Sequence, residues 1–235
     1  MTSVPTADGV GSTIAASAEQ ALLSTAMFSA AAPATVASIA AASRARSAEK
    51  GERIFDEGMA GDEMFVVISG LVKLAGSSRD GDEVVYRSAG SGDTFGELSA
   101  LDGGTRSASA VVLRPTRLLM IPGEALRRAL RTDAELATSV LQVVAGALRA
   151  TTRRHADLLF VDLAGRVASY LVEQAGDTQR VELELSQGDL GSLLGASRQS
   201  VNQVLRAFEQ EGLIHRRGRV LEVARPADLR DRAGL

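Results

Sequence analysis

Between Arg53 and Ile121 the apolar residues of this chain come in short runs broken by glycine and aspartate. The runs are Arg53-Ile54-Phe55, Met64-Phe65-Val66-Val67-Ile68, Leu71-Val72-Lys73-Leu74, Glu83-Val84-Val85-Tyr86 and Leu118-Leu119-Met120-Ile121. They are rich in β-branched and aromatic residues, which suit a pleated, packed surface. Gly58, Gly61-Asp62, Gly70, Asp80-Gly81-Asp82, Gly90 and Gly92-Asp93 punctuate them. Many short strands at regular spacing, each closed by a turn signal, predict an antiparallel barrel or roll. Asp80-Gly81 suits a hairpin turn. The glycines are read as turn formers without a ligand role.

From Thr132 to about Val161 the pattern becomes helical. Leu136, Val140, Val143 and Ala147 step by four, three and four, the spacing of a coiled-coil seam. About 30 residues make a helix of roughly 45 Å, too long for the back of one small domain. The seam therefore predicts a partner helix, most simply from a second copy of the chain. It turns polar at Thr151, Thr152 and His155 before Leu158, Leu159 and Phe160 resume the apolar character.

A second domain follows. Leu163–Gln174 reads as a helix with Val167, Leu171 and Val172 on one face, and Val181, Leu183 and Leu185 alternate with Glu182 and Glu184 as a half-buried strand. Ser186 with Asp189 resembles a capping box opening a helix that runs to Leu194. Gly195 permits a turn, and Ser197 caps the next helix, whose buried stripe is Val201, Val204, Leu205 and Phe208. Two short helices across a glycine turn make a helix-turn-helix. Arg198, Gln199, Ser200, Asn202 and Gln203 are left facing outward. Arginine can pair with guanine, and asparagine or glutamine with adenine, in a major groove. Leu213–Val223 reads as a hairpin wing whose Arg216, Arg217 and Arg219 would lie over a phosphate backbone. A winged helix used for protein contacts is the alternative.

Residues 95–112 read Phe-Gly-Glu-Leu-Ser-Ala-Leu-Asp-Gly-Gly-Thr-Arg-Ser-Ala-Ser-Ala-Val-Val. Gly96 allows a close backbone approach to a ligand. Glu97 can accept from a ribose hydroxyl. Arg106 offers a rigid fork of donors to a phosphate, with Ser107 and backbone N–H groups beside it. The plainer alternative is a β-turn with both charges solvated.

Composition removes several classes. There is no cysteine, so disulfides, iron–sulfur clusters and thiolate metal sites are excluded, and His155 and His215 are too few for a histidine metal site. No P-loop, nucleophile elbow or isolated catalytic carboxylate pair is present, so an enzyme is not expected. The net charge of −3 excludes nucleic-acid binding by bulk charge but not a local basic surface. Gln20–Ser43 is an uncharged stretch of 24 residues. It is mostly alanine, serine and threonine and is interrupted by Pro33. It is read as helices over Ala18–Met27 and Pro33–Ala42 packed on a domain, with no membrane span and a cytoplasmic location.

The Gly-Glu-Leu and Arg-Ser-Ala of residues 95–112 resemble the phosphate-binding cassette of cyclic-nucleotide-binding domains. Glu57–Leu74 resembles the first half of that β-roll. Together with the long helix, the helix-turn-helix and a hinge-like Phe160–Ala168, the chain after residue 20 resembles the CRP/FNR family of bacterial transcription regulators. The expected fold is α+β: a disordered tail over 1–18, a cyclic-nucleotide-binding β-roll over 19–131, a long dimerisation helix and hinge over 132–162, and a winged helix-turn-helix over 163–235. The resemblance implies ligand contacts at Gly96, Glu97, Leu98, Ser99, Arg106 and Ser107. It implies adenine contacts at Thr151 and Thr152, and thus cAMP as allosteric ligand in preference to cGMP, with no cofactor or metal. DNA contacts are expected at Ser197, Arg198, Gln199, Ser200, Asn202, Gln203, Arg216, Arg217 and Arg219. Implied partners are double-stranded DNA, a second copy of the chain and RNA polymerase. Gln199 and Gln203 stand where cAMP-gated members carry an acid and a base, so the operator is expected to differ there. The segment before Val181 is shorter than in the family, where it carries a polymerase-contacting surface. A regulator needing no cyclic nucleotide or another one (cGMP, a cyclic dinucleotide) and a nucleotide-sensing protein-interaction module are the alternatives.

Overall fold

The computed structural model describes residues 17–78 and 80–234. The expected disordered tail lies, up to residue 16, outside the described residues. The chain divides into two compact units, one formed by residues up to Gly76 with Tyr86–Ala147, the other by Ser77–Val85 with Leu148–Leu235.

In the first unit α1 (17–23) and α2 (Pro33–Ala42) precede β1 (Arg44–Ala48), β2 (Arg53–Phe55) and β3 (Glu63–Ser77). Then come β4 (Glu83–Ala89), β5 (Thr94–Phe95), α3 (Glu97–Asp102), β6 (Ser109–Pro122), α4 (Gly123–Thr132) and the start of α5 (Ala134–Phe160). The sheet order is β1-β6-β3-β4, with β2 on β6 and β5 on β3. The apolar run of β3 is continuous because both its faces are covered. Met64 and Val66 join Leu119 and Ile121 beneath a layer of Leu22, Phe28, Ile39, Leu126 and Leu136. Phe65 and Val67 turn the other way, onto Phe95, Leu118 and Val112. Each fully buried leucine or phenylalanine stabilises the fold by about 1.5–3 kcal/mol.

Three expectations are corrected here. Met64–Ile68 and Leu71–Leu74 are parts of one 15-residue strand. Gly70, at φ 106°, makes a bulge, where a Cβ would overlap Thr116. The Thr116 hydroxyl accepts from Leu71 N at 3.1 Å, so the bulge keeps its hydrogen bonding and pairing with β6 resumes. The first helix stops at residue 23, short of Met27, and Thr25 takes over the chain reversal. Its hydroxyl donates to Leu22 O (2.8 Å) and accepts from Phe28 N (3.2 Å). Lastly, Leu136 and Val140 of the expected intermolecular seam are buried in this unit's own core. The large apolar side chains that α5 leaves exposed are Leu141, Leu148, Leu158, Leu159 and Phe160.

Asp133 joins the two helical segments. It accepts from Leu136 N at 3.0 Å, capping α5, and from Ala32 N at 2.9 Å, ahead of α2. These bonds and one from Thr35 hold its carboxyl below the usual aspartate range.

The second unit holds the end of α5, α6 (Leu163–Ala175), a 3-10 turn (Gly176–Thr178), β7 (Arg180–Glu182), α7 (Gln187–Leu193), α8 (Arg198–Gln210), β8 (Ile214–Arg217), β9 (Val220–Val223) and α9 (Pro226–Ala233). Its sheet order is β7-β9-β8, antiparallel throughout. The core gathers Val167, Leu171, Leu190, Val201, Leu205, Phe208, Ile214, Leu221 and Leu229. Helix starts are marked by local caps: Asp162 accepts from Gly165 N (2.7 Å), Ser186 from Asp189 N (3.0 Å) and Ser197 from Ser200 N (3.1 Å). The Asp189 carboxylate in turn accepts from the Ser186 hydroxyl at 2.6 Å. Among the described residues no helix is long and apolar enough to cross a membrane.

Candidate functional site

The loop between β5 and β6 is built around Arg106. Backbone ties fix the base of this residue: Arg106 N donates to Met59 O and Gly58 N to Arg106 O, both at 2.8 Å, beside an isolated bridge between Ala60 and Thr105. The guanidinium then turns inward and is 4% exposed. Nη1 donates to Glu63 O (2.6 Å), Gly96 O (3.0 Å) and Ser99 Oγ (2.8 Å). Its Cζ stands 4.1 Å from the Phe55 ring centre, a cation–π contact, and the rings of Phe65 and Phe95 stack at 4.9 Å nearby. Burial lowers the Arg106 pKa against the raising effect of Glu63, Asp62 and Glu97. The side chain remains a cation at any ordinary pH.

The predicted ligand residues of this loop share one neighbourhood. Gly96, at φ 75°, precedes α3 and approaches Arg106 so closely that a Cβ would lie 2.7 Å from Nη1. Ser99 is buried and its hydroxyl serves Arg106. Leu98 and Ser107 are exposed. Among the described residues two buried side-chain atoms have no hydrogen-bond partner: Glu97 Oε2 and Arg106 Nε. Buried polar atoms are nearly always satisfied, so this pair asks for a ligand or water.

The sequence marked Gly61 as a turn former without a ligand role, yet a Cβ there would overlap Arg106 Nε and Cζ. Its lack of a side chain makes the slot that the guanidinium fills. Arg127 is a second residue that sequence reasoning missed. It donates to Asp62 Oδ1 (2.6 Å) and Ala100 O (2.5 Å), tying the turn that carries Gly61 to α3. Only the Gly61-Asp62 turn signal hinted at either.

In the second unit Thr151 and Thr152 are exposed on α5, and the Thr152 hydroxyl donates to Leu148 O at 3.0 Å. Arg198, Gln199 and Gln203 are exposed on α8. Ser197 and Ser200 are engaged in the cap, with hydroxyls 2.9 Å apart. Asn202 donates to Gln187 Oε1 (2.8 Å) and Arg198 O (3.0 Å), which pins α8 to α7. In the wing, Arg217 is exposed. Arg216 donates to Gly218 O at 3.4 Å, and Arg219 folds back onto Leu183 O (3.0 Å) and Glu184 O (2.9 Å).

A β-roll with an arginine-centred loop and a winged helix-turn-helix define a class: a DNA-binding regulator with a nucleotide-sensing domain. The cyclic nucleotide-binding domain family matches residues 45–133 and the Crp-like helix-turn-helix domain family residues 165–232. The chain is 36% identical over 191 residues to the CRP-like cAMP-activated global transcriptional regulator of Mycobacterium tuberculosis, covering 78% of this chain and 85% of that protein. It is 31% identical over 182 residues to the cyclic AMP receptor protein of Thermus thermophilus, covering 77% and 84%. In fold it is similar to FixK2 from Bradyrhizobium japonicum, with TM-score 0.74 and 23% identity over 80% of this chain and 96% of that one. The chain belongs to the CRP/FNR family of transcription regulators. Such regulators are not enzymes.

Proposed function

We propose that this chain is a homodimeric transcription regulator whose affinity for operator DNA is gated by cAMP. The observation that carries the ligand assignment is the unpartnered pair inside the β5–β6 loop, Glu97 Oε2 and Arg106 Nε. One is an acceptor suited to a ribose hydroxyl, the other belongs to the cation suited to a cyclic phosphate. Gly96, Leu98, Ser99 and Ser107 complete the loop as proposed contacts, and Thr151 and Thr152 are the proposed adenine contacts. The relatives described as cAMP-activated or as a cyclic AMP receptor support cAMP over cGMP.

Homodimerisation is supported by the exposed Leu141, Leu148, Leu159 and Phe160 of α5. Isolated exposed leucines are ordinary, but several on one helix call for a partner surface. On DNA, Arg198, Gln199 and Gln203 are the proposed base readers. Ser197, Ser200 and Asn202 build and anchor the helix that presents them, and Arg216, Arg217 and Arg219 are the proposed backbone contacts of the wing, with Arg217 exposed and Arg219 needing to leave Leu183 O and Glu184 O. RNA polymerase is the proposed further partner, and the cytoplasm the proposed location.

Calorimetric titration with cAMP, and with cGMP in parallel, tests the effector. Saturable cAMP binding near one per subunit, with weaker cGMP binding, is expected. Selection of an operator from random DNA with and without cAMP tests the gate. A coupling of about 1–3 kcal/mol would raise operator affinity roughly 5–150-fold. Equal affinity in both conditions would favour a ligand-independent regulator.

A further inference from the structure

The three nitrogens of the Arg106 guanidinium are occupied unequally. Nη1 is shared among Glu63 O, Gly96 O and Ser99 Oγ, three acceptors for two N–H groups. Nε lies against Gly61 without a partner. Nη2 faces a charge: the Glu63 carboxylate, with Oε2 at 3.6 Å. The two partners differ in burial, the Arg106 side chain being 3% exposed and that of Glu63 47%. The neighbouring carboxylate of Asp62 is tied to Arg127 at 2.6 Å, and among the acids whose charge acts on Arg106, which are Glu63, Asp62 and Glu97, Glu63 has the largest effect.

We infer that Glu63 is a built-in counter-ion that competes with the ligand phosphate for Arg106 Nη2 and thereby sets the affinity of the site. The inference rests on the cyclic-nucleotide assignment above. A buried guanidinium without an opposite charge is costly, and that cost falls when a carboxylate stands at its exposed side. The phosphate of a cyclic nucleotide brings one negative charge to the same nitrogen. Two anions cannot both approach Nη2 without repulsion, which is strong where water is scarce. Glu63 is half exposed at the first residue of β3, so it can turn to solvent when the phosphate arrives. Its backbone carbonyl stays on Nη1 either way. The empty site is thus kept in order by an acid that ligand binding must displace, and the displacement lowers the net affinity.

Glu63→Gln deletes the charge while keeping the length of the side chain and the backbone carbonyl. It should bind cAMP about two- to fivefold more tightly, the range expected for one partly exposed ion pair. A supporting role would move affinity the other way, because removing support from Arg106 weakens the phosphate contact. Glu63→Asp, which keeps the charge on a shorter stem, should stay nearer the wild type than Glu63→Gln does. The experiment is calorimetric titration of the full chain and both variants with cAMP at one ionic strength, with circular dichroism to confirm folding. Tighter binding by Glu63→Gln supports the inference. Equal or weaker binding by Glu63→Gln, with the wild type binding cAMP, overturns it and leaves the effector assignment standing. Absence of cAMP binding by the wild type overturns both.

Discussion

Arg106 is 4% exposed and is held by Phe55 of β2, Glu63 of β3 and Gly96 and Ser99 at the start of α3, three different parts of the first unit. Arg198 stands in solvent on α8, whose start is set by Ser197 and whose buried face is Val201, Leu205 and Phe208. Both are arginines proposed to meet a phosphate or a base. In the roll the side chain is also part of the packing, and its removal takes a donor from Glu63 O, Gly96 O and Ser99 Oγ, of which Gly96 O keeps the Ser99 hydroxyl at 3.3 Å. On α8 the helix is complete without the side chain that it presents. The contrast teaches that sensing and reading carry different structural costs: a buried sensor couples ligand to fold, while an exposed reader can be exchanged freely.

The largest effect that can break this contrast is expected for Arg106→Ala. Cyclic AMP affinity should fall about a hundredfold or more, since charge-assisted bonds to phosphate are lost. Stability should fall by about 1–3 kcal/mol because Glu63 O and Ser99 Oγ lose the buried donor that Arg106 supplies. Calorimetry and thermal melting read the two effects, and a fully stable variant would show that Arg106 is no part of the packing. Arg198→Ala should cost about 1–3 kcal/mol in operator affinity and relax specificity at one base pair, with melting unchanged. A melting point as depressed as that of Arg106→Ala would erase the contrast.

Gly61→Ala sharpens it. The Gly61 backbone accommodates alanine, and the nearest atoms to the new Cβ are Nε, Cζ and Nη2 of the Arg106 guanidinium. The fold should therefore survive while the guanidinium is dislodged, with an expected affinity loss of about tenfold. Wild-type affinity in this variant would mean that ligand uses another pose of Arg106. The smallest effect is a pH dependence. The carboxyl of Asp133 is depressed by bonds from Leu136, Ala32 and Thr35, so the stability it contributes is present above the ordinary aspartate range and is lost as pH falls below it. Acid titration of melting should show Asp133→Asn losing part of that slope. An unchanged slope would remove Asp133 as a pH-dependent clasp.

Legibility followed the same division. The winged domain could be read because its signals are local: Ser186 and Ser197 are caps, Gly195 opens the turn, and the stripe of Val201, Leu205 and Phe208 has helical period. The roll was legible as strands and turns, and its loop as a motif, but not its depth. Gly70 looked like a strand end because its bulge depends on the Thr116 hydroxyl, 46 residues away. Leu136 and Val140 looked like a dimer seam because a heptad spacing does not say whose surface it meets.

The amino-acid order by itself determined most of the strand runs of the roll, the helix-turn-helix with its caps and turn, and which residue types lie in the β5–β6 loop and along α8. These follow from period, capping and backbone preference, all of which act within a few residues. Only the tertiary structure decided that Arg106 points inward, that Gly61 makes its slot, that Arg127 ties the slot to α3, and that Glu63 faces Nη2. Those outcomes depend on the space left when distant segments close on one another, and no local pattern carries that information.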